Sequence, residues 1–170
     1  SLAWMLAVAT AGTIIGDKQW KWLTTWLQSA DAETVATLFV VSSVPVTHTA
    51  RWFTRLFDFA PKHFAVPIRD RWASSGFIAR RNELLDTLFT WEATTPRRQV
   101  FILSGDVHCA SAFTIRQRYG PGVIQQITSS AMTTPFDIQQ IIFNLVVVYG
   151  TNLLERRYRF TRNFRSITHN

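Results

Sequence analysis

Strand-length apolar runs alternate with segments of helical period along most of this chain, and that alternation restricts the fold more than any other feature. Residues 36–42, ATLFVVS, and 99–104, QVFILS, are short, apolar and rich in strand formers. Residues 5–11, MLAVATA, read as an earlier strand entering a core. Two helical patterns lie between these runs. After Gly16-Asp17, the side chains of Trp20, Leu23, Trp26 and Leu27 recur on one face of KQWKWLTTWLQ, with Asp17 placed to cap the start. Residues 77–91 form a second amphipathic helix, with Leu84, Leu85, Leu88 and Phe89 on the inner face. Strands at 110–117 and 122–128 follow, divided by the turn YGPG. The order strand, helix, strand, helix, strand predicts an α/β layered fold in which helices cover a sheet.

The remaining segments are less periodic. Residues 44–75 form a long loop rich in aromatics, with Pro45, Pro61 and Pro67 and with Arg51, Arg55, Arg69 and Arg71 interspersed. A loop of that length in a compact domain is usually functional. Residues 136–149 fit either a helix or a strand, and the basic end, ERRYRFTRNFRSITHN, alternates in part. Neither repeats nor a low-complexity tract nor a linker divides the 170 residues, so they read as one domain or part of one. A 47% hydrophobic content argues against disorder. No apolar run reaches the roughly 20 residues of a membrane span. The opening SLAWMLAVATAG lacks the basic leader of a signal peptide, and its alternation fits a buried strand better. The single cysteine, Cys109, excludes an intrachain disulfide and leaves the compartment open.

The apolar run Val100-Phe101-Ile102-Leu103 ends abruptly in Ser104-Gly105-Asp106-Val107-His108-Cys109. In an extended strand, residues two apart share a face, so Asp106 and His108 are expected to aim together, with Val107 and Cys109 turned away. A carboxylate and an imidazole converging at a strand end suit a hard or borderline divalent ion. Gly105 is expected to permit a sharp turn and a close approach to the ligand. The same alternation argues against a Cys109–His108 dyad, and the paired cysteines of zinc deaminases are missing. Taken alone, Gly-Asp-x-His is more often the mark of a turn with satisfied polar groups than of a metal site.

Three segments, in order, resemble the later half of the PhoD-type alkaline phosphatases, within the calcineurin-like metallophosphoesterase superfamily. The first, IIGDKQWKWLTTWLQSA, is similar to that family's Gly-x-x-Gln-x-x-Trp-Leu helix, and LFVVSSVPV to its strand and Val-Pro loop. The second, DRWASSGFIARRNELLDTL, matches at Asp70, Trp72, Gly76, Phe77, Arg81, Leu84 and Leu85. The third, VFILSGDVHCASAF followed by ITSSA, is close to the Leu-Ser-Gly-Asp-Val-His segment and is the most specific. The resemblance covers about residues 5 to 133.

That resemblance implies a layered αββα metallophosphatase-type sandwich, of which residues 1–170 would be the C-terminal part. It implies metal-dependent hydrolysis of phosphate esters, with Asp106 and His108 as catalytic metal ligands in a site of two or more ions. The substrate would be a phosphorylated small molecule or nucleotide. In the wider superfamily the pair is His-x-His, and a harder Asp106 in place of the first histidine favours iron together with calcium. Departures are equally specific. Ala9 and Ala11 stand where the family usually carries Asp-x-Arg, Ser42-Ser43 where it often has Asn-Gln, and Arg80 where it tends to have an acid. Neither Gly-Asp-x-x-Asp nor Gly-Asn-His occurs. The expectation is that an upstream part of the same polypeptide supplies the other ligands and that this chain alone turns over little substrate.

Other residues carry two readings each. His48, in VPVTHTARW, is either a solvated loop histidine or one that reaches the site and its phosphate. Arg71 and Arg81 would meet a substrate phosphate, or pair structurally with Asp70 or Glu83. Trp20, Trp22, Trp26, Trp52 and Trp72 resemble a base-stacking set, but helical spacing favours core packing. The net charge of +7 is almost wholly arginine, with Lys18, Lys21 and Lys62 as the lysines. Arg156, Arg157, Arg159, Arg162 and Arg165, interleaved with Tyr158, Phe160 and Phe164, are either a solvated strand face or a surface for nucleic acid or an acidic membrane. A non-catalytic member of the fold that binds anionic partners through these arginines is the alternative to an enzyme.

Overall fold

The computed structural model describes residues 14–56, 72–105, 110–129 and 150–163, together with the backbone of 2–7. Among the described residues six strands form one sheet: β1 (Leu2–Ala7), β2 (Thr37–Ser42), β3 (Gln99–Ser104), β4 (Ser111–Gln117), β5 (Val123–Thr128) and β6 (Tyr158–Arg162). Their order across the sheet is β1-β2-β3-β5-β4-β6. The pairs β1–β2, β2–β3 and β3–β5 are parallel, whereas β4 runs antiparallel to β5 and to β6. The helices among the described residues are α1 (Asp17–Leu27), α2 (Ala30–Glu33), α3 (Arg51–Leu56) and α4 (Ile78–Ala93). The α/β class expected from the sequence is therefore what the chain adopts.

One face of the sheet is the core. In-register residues share a face, and those aligned with Val40 and Ile102 are nearly all buried: Leu38, Val100, Ile124, Phe113, Ile115, Tyr158 and Phe160. Helix α4 covers them with Leu84, Leu85, Leu88 and Phe89, the inner face that its periodicity predicts, and adds Trp91. The Phe89 ring stacks on Tyr158 at 6.0 Å. Helix α1 contributes buried Leu23, with Trp20, Trp26 and Leu27 packed against the same cluster. Trp72 is buried in that core as well, so these tryptophans pack rather than form a stacking platform; Trp22 alone of α1's three points outward, 55% exposed.

The opposite face is half-covered. Phe39 and Phe101 stack there at 5.2 Å, flanked by half-buried Val41 and Leu103, and Ile127 is 47% exposed.

Several local expectations are corrected. Gly16 is the N-cap of α1, and its N–H is taken by Gln19 Oε1 at 3.1 Å, so Asp17 is the first helical residue rather than the cap. There its charge favours the positive end of the helix dipole. Helix α2 was not anticipated; Ser29 caps it by accepting from the Ala32 N–H. Helix α3 interrupts the long loop expected over 44–75. Strand β1 begins at Leu2, earlier than the expected residue 5. Residues 136–149, left open between helix and strand, lie outside the described residues.

Arg98 ties the start of β3 to two helices. Its guanidinium donates to Trp91 O at 3.2 Å and to the Thr94 hydroxyl at the end of α4, and to Ala32 O and Glu33 O of α2 at 3.2 and 3.0 Å. It also lies 4.4 Å from the Trp91 ring centroid. The carbonyls it meets lie in the last turns of the two helices, where Trp91 O and Ala32 O also accept from the N–H groups of Thr94 and Val35.

Candidate functional site

The parallel strands β1, β2, β3 and β5 all end at the same edge of the sheet, in one registered row: Ala7, Ser42, Ser104 and Thr128. Strand β4 starts in that row too, with Ser111 opposite Thr128. In open α/β sheets this carboxyl edge is where ligands bind, because the connecting loops gather there while the strands hold them in place. The row itself is hydroxyl-rich. Ser104 Oγ and Thr128 Oγ1 share a hydrogen bond of 2.9 Å, and Ser42 Oγ donates to Val44 O at 2.7 Å. Ser111 Oγ is buried with no hydrogen-bond partner among the described residues.

Strand β3 delivers the Gly-Asp-Val-His segment to this edge. Its ladder continues one step past the strand, where Ser129 N–H donates to Ser104 O at 2.9 Å. Asp106 and His108, with Val107 and Cys109, lie outside the described residues. Gly105 is described: its φ is not in the left-handed region, and a Cβ there would make only an ordinary 3.9 Å contact with Ser129 O. The sharp turn expected at Gly105 is therefore not what calls for glycine.

The Val-Pro loop between β2 and α3 comes to the same edge. It has no regular structure, yet Pro45, Val46, Thr47, His48 and Ala50 are all buried. A buried loop must find partners for its backbone polar groups. Gln126, from the centre of β5 and completely buried, provides them. Its Oε1 accepts from Thr47 N–H at 2.9 Å and its Nε2 donates to Thr47 O at 2.5 Å, with a longer 3.4 Å contact to Thr128 Oγ1. His48, next in the chain, is 5% exposed, which overturns the reading of a solvated loop histidine.

The arginines divide by role. Arg81, on α4, is 2% exposed, and its Nη2 donates to both Glu155 oxygens at 2.8 and 2.7 Å. The guanidinium also lies 5.4 Å from the Phe160 ring centroid. Burial pulls its pKa below the usual value, with Glu155 acting against that shift. Its partner is thus structural, but Glu155 rather than the Asp70 or Glu83 anticipated. Arg80, not Arg81, meets Glu83, at 2.9 Å; it also reaches Asp17 at 3.3 Å and covers Trp20. Arg71 lies outside the described residues.

Around β6, Arg156, Arg157, Arg159 and Arg162 are exposed. Arg157 pairs with Asp86 at 2.8 Å. Arg116 and Arg159 are direct cross-strand partners on β4 and β6, both exposed, with no acidic partner among the described residues. Like charges opposite each other disfavour the pairing. Arg165, at the end of this basic run, lies outside the described residues.

A separate cleft between α1 and α4, lined by Thr24, Gln28, Thr90, Trp91 and Arg98, opens near the start of β3, away from the carboxyl edge. Among the described residues no group of three His, Cys, Asp or Glu side chains is placed to hold a metal ion. No helix among them is long and apolar enough to cross a membrane.

Gln126 and Glu155 escaped the sequence reading. Gln126 had a usable signal: within VIQQIT it shares the inward parity of Ile124 and Thr128, where a polar side chain requires a partner. Glu155 had none, because its partner lies 74 positions earlier.

No match was found among the curated proteins or among the solved structures. The PhoD-like phosphatase family model matches residues 5–143, which take in the carboxyl edge, the Val-Pro loop and the Gly-Asp-Val-His segment. The chain belongs to the PhoD-like phosphatase family.

Proposed function

We propose that this protein hydrolyses phosphate esters in a metal-dependent reaction at the carboxyl edge of the parallel sheet, with Asp106 and His108 as metal ligands. The observation that supports it most is that β3 leads directly into Gly105-Asp106-Val107-His108 at the edge where β1, β2 and β5 also end. The donor chemistry fits, since a carboxylate oxygen and an imidazole nitrogen are ligands of hard and borderline ions. An ion bound there would supply Lewis acidity towards a phosphoryl oxygen and lower the pKa of an attacking water. The harder Asp106 favours iron together with calcium.

The chain's own groups have a second task, which is to hold the phosphate. His48, buried in the Val-Pro loop, and Arg71 are the candidates on the substrate side. Arg81 is a third candidate from the sequence, and its guanidinium is paired with Glu155. The substrate is a phosphorylated small molecule or nucleotide. The remaining metal ligands come from an upstream part of the same polypeptide, which also supplies a second layer against the half-covered face around Phe39, Phe101 and Ile127. That layer would complete an αββα sandwich, and apolar sheet faces are buried in such architectures.

In the full-length protein, Asp106→Asn and His108→Ala are each expected to abolish metal-dependent hydrolysis of an aryl phosphate. Undiminished activity in both variants overturns the proposal. Metal analysis of the same protein showing only stoichiometric zinc would overturn the iron–calcium assignment.

A second reading has its own support. The Arg116–Arg159 pair, without an acidic partner among the described residues, and the exposed arginines of β6 favour a non-catalytic member that binds anionic partners, as do Ala9 and Ala11 at the usual Asp-x-Arg positions. Salt-dependent binding to single-stranded RNA, in a protein without hydrolytic activity, would favour this reading over the first.

A further inference from the structure

We infer that Gln126 is a positioning residue for the phosphatase site, acting by fixing the backbone of Thr47 and so the placement of His48. The inference rests on the reading that the site lies at the carboxyl edge, and it adds a residue that the donor set does not contain.

Gln126 sits where the sheet has no use for a polar group. Its registered neighbours on β3 and β4 are Ile102 and Phe113, which are 0% and 1% exposed, and Gln126 itself is 0% exposed. A primary amide in such a row is unfavourable unless its donors and acceptor are matched. Among the described residues, the hydrogen-bond partners of its side chain, Thr47 and Thr128, are at the edge. Both bonds to Thr47 come from one planar amide, so the loop is held as a neighbouring strand would hold it, with N–H and C=O satisfied together.

The same amide links two parts of the site. Through its 3.4 Å contact with Thr128 Oγ1, and the 2.9 Å bond from there to Ser104 Oγ, it joins the Val-Pro loop to the end of β3. Ser104 is followed by Gly105 and then by the proposed ligands. The loop and the strand end are therefore held by one connected set of side chains, 79 positions apart in sequence at the Thr47–Gln126 contact. A side chain placed this way keeps His48 at a fixed depth relative to whatever β3 presents.

The test uses the full-length, metal-loaded protein with an aryl phosphate, and compares Gln126→Met, His48→Ala and the double variant. Gln126→Met keeps the volume and removes both bonds to Thr47. It is expected to lower kcat by about 100-fold, the scale of an ångström-sized misplacement, with metal content unchanged. In the His48→Ala background the same change is expected to cost almost nothing further, because the two act through one group. Equal losses in both backgrounds would mean a merely structural role and overturn the inference. Gln126→Glu supplies the rescue: a neutral glutamic acid can accept from Thr47 N–H and donate to Thr47 O, so activity should recover as pH falls. It also serves if Gln126→Met does not fold.

Hydrogen exchange of the Thr47 amide separates this inference from the functional reading beneath it. Exchange at Thr47 should accelerate in Gln126→Met while the amides of β3 and β5 stay protected. Unchanged protection at Thr47 overturns the inference whatever the activity. A wild-type protein that hydrolyses no aryl phosphate overturns the phosphatase reading instead, and leaves the Thr47 exchange to decide whether Gln126 anchors the loop.

Discussion

Arg81 Nη2 on α4 donates to both carboxylate oxygens of Glu155, just ahead of β6, and neither side chain is more than 3% exposed. The pair fastens the helix that covers the core to the segment leading into the edge strand, and the Phe160 ring lies against the guanidinium. Removing one partner leaves a buried charge without compensation, so Glu155→Ala should cost about 3–5 kcal/mol, read from the urea midpoint. Replacing both residues with apolar ones, Arg81→Met with Glu155→Leu, should recover most of that loss. A catalytic duty for Arg81 would show differently: Arg81→Lys would then lower turnover without moving the midpoint. The expected result is that the midpoint moves.

The elements were legible because each rests on a local period. Alternating burial in β2 and the inward set Leu84, Leu85, Leu88 and Phe89 of α4 depend on residues a few positions apart, so sequence alone reveals them. Strand order was not legible. Consecutive strands β3 and β4 do not pair; β5 lies between them, and nothing local in either strand encodes that. Within the candidate site, the strand leading to Asp106 could be read as far as Ser104. The burial of His48 could not, because the loop that carries it is held at Thr47 by an amide 79 positions further on. Short α2 was missed for a related reason: four residues are too few for a period, and its end is held by Arg98, far along the chain.

The phenol of Tyr158 gives stability a dependence on alkaline pH. Its single O–H proton is shared between Asp86 Oδ1 at 2.6 Å and Asn82 O at 3.0 Å. Burial first, and then the bond to the Asp86 carboxylate, push the phenol up from its ordinary value. The folded protein thus keeps a proton that the unfolded chain releases near pH ~10. The resulting stability is fully present below that pH and is lost as pH rises towards the folded value. Thermal melting of the wild type should therefore fall across roughly pH 9.5 to 11.5, from that reference value. Tyr158→Phe should begin less stable, lacking the shared hydrogen bond, and should fall less steeply over the same range.

The sheet face opposite α4 decides between a single-layered unit and the proposed sandwich. Phe39 and Phe101 stack on each other there, and both remain half-buried beside an exposed Ile127. A second layer from upstream residues would bury this aromatic pair and make it part of a continuous interior. Placing a charge there would then strand it without a partner in an apolar contact. In the full-length protein, Phe101→Arg should accordingly cost about 3 kcal/mol or more in denaturant unfolding, the range of a large core truncation. Substitutions at open surface positions stay within about 0.5 kcal/mol. A cost that small for Phe101→Arg would remove the second layer from the proposal.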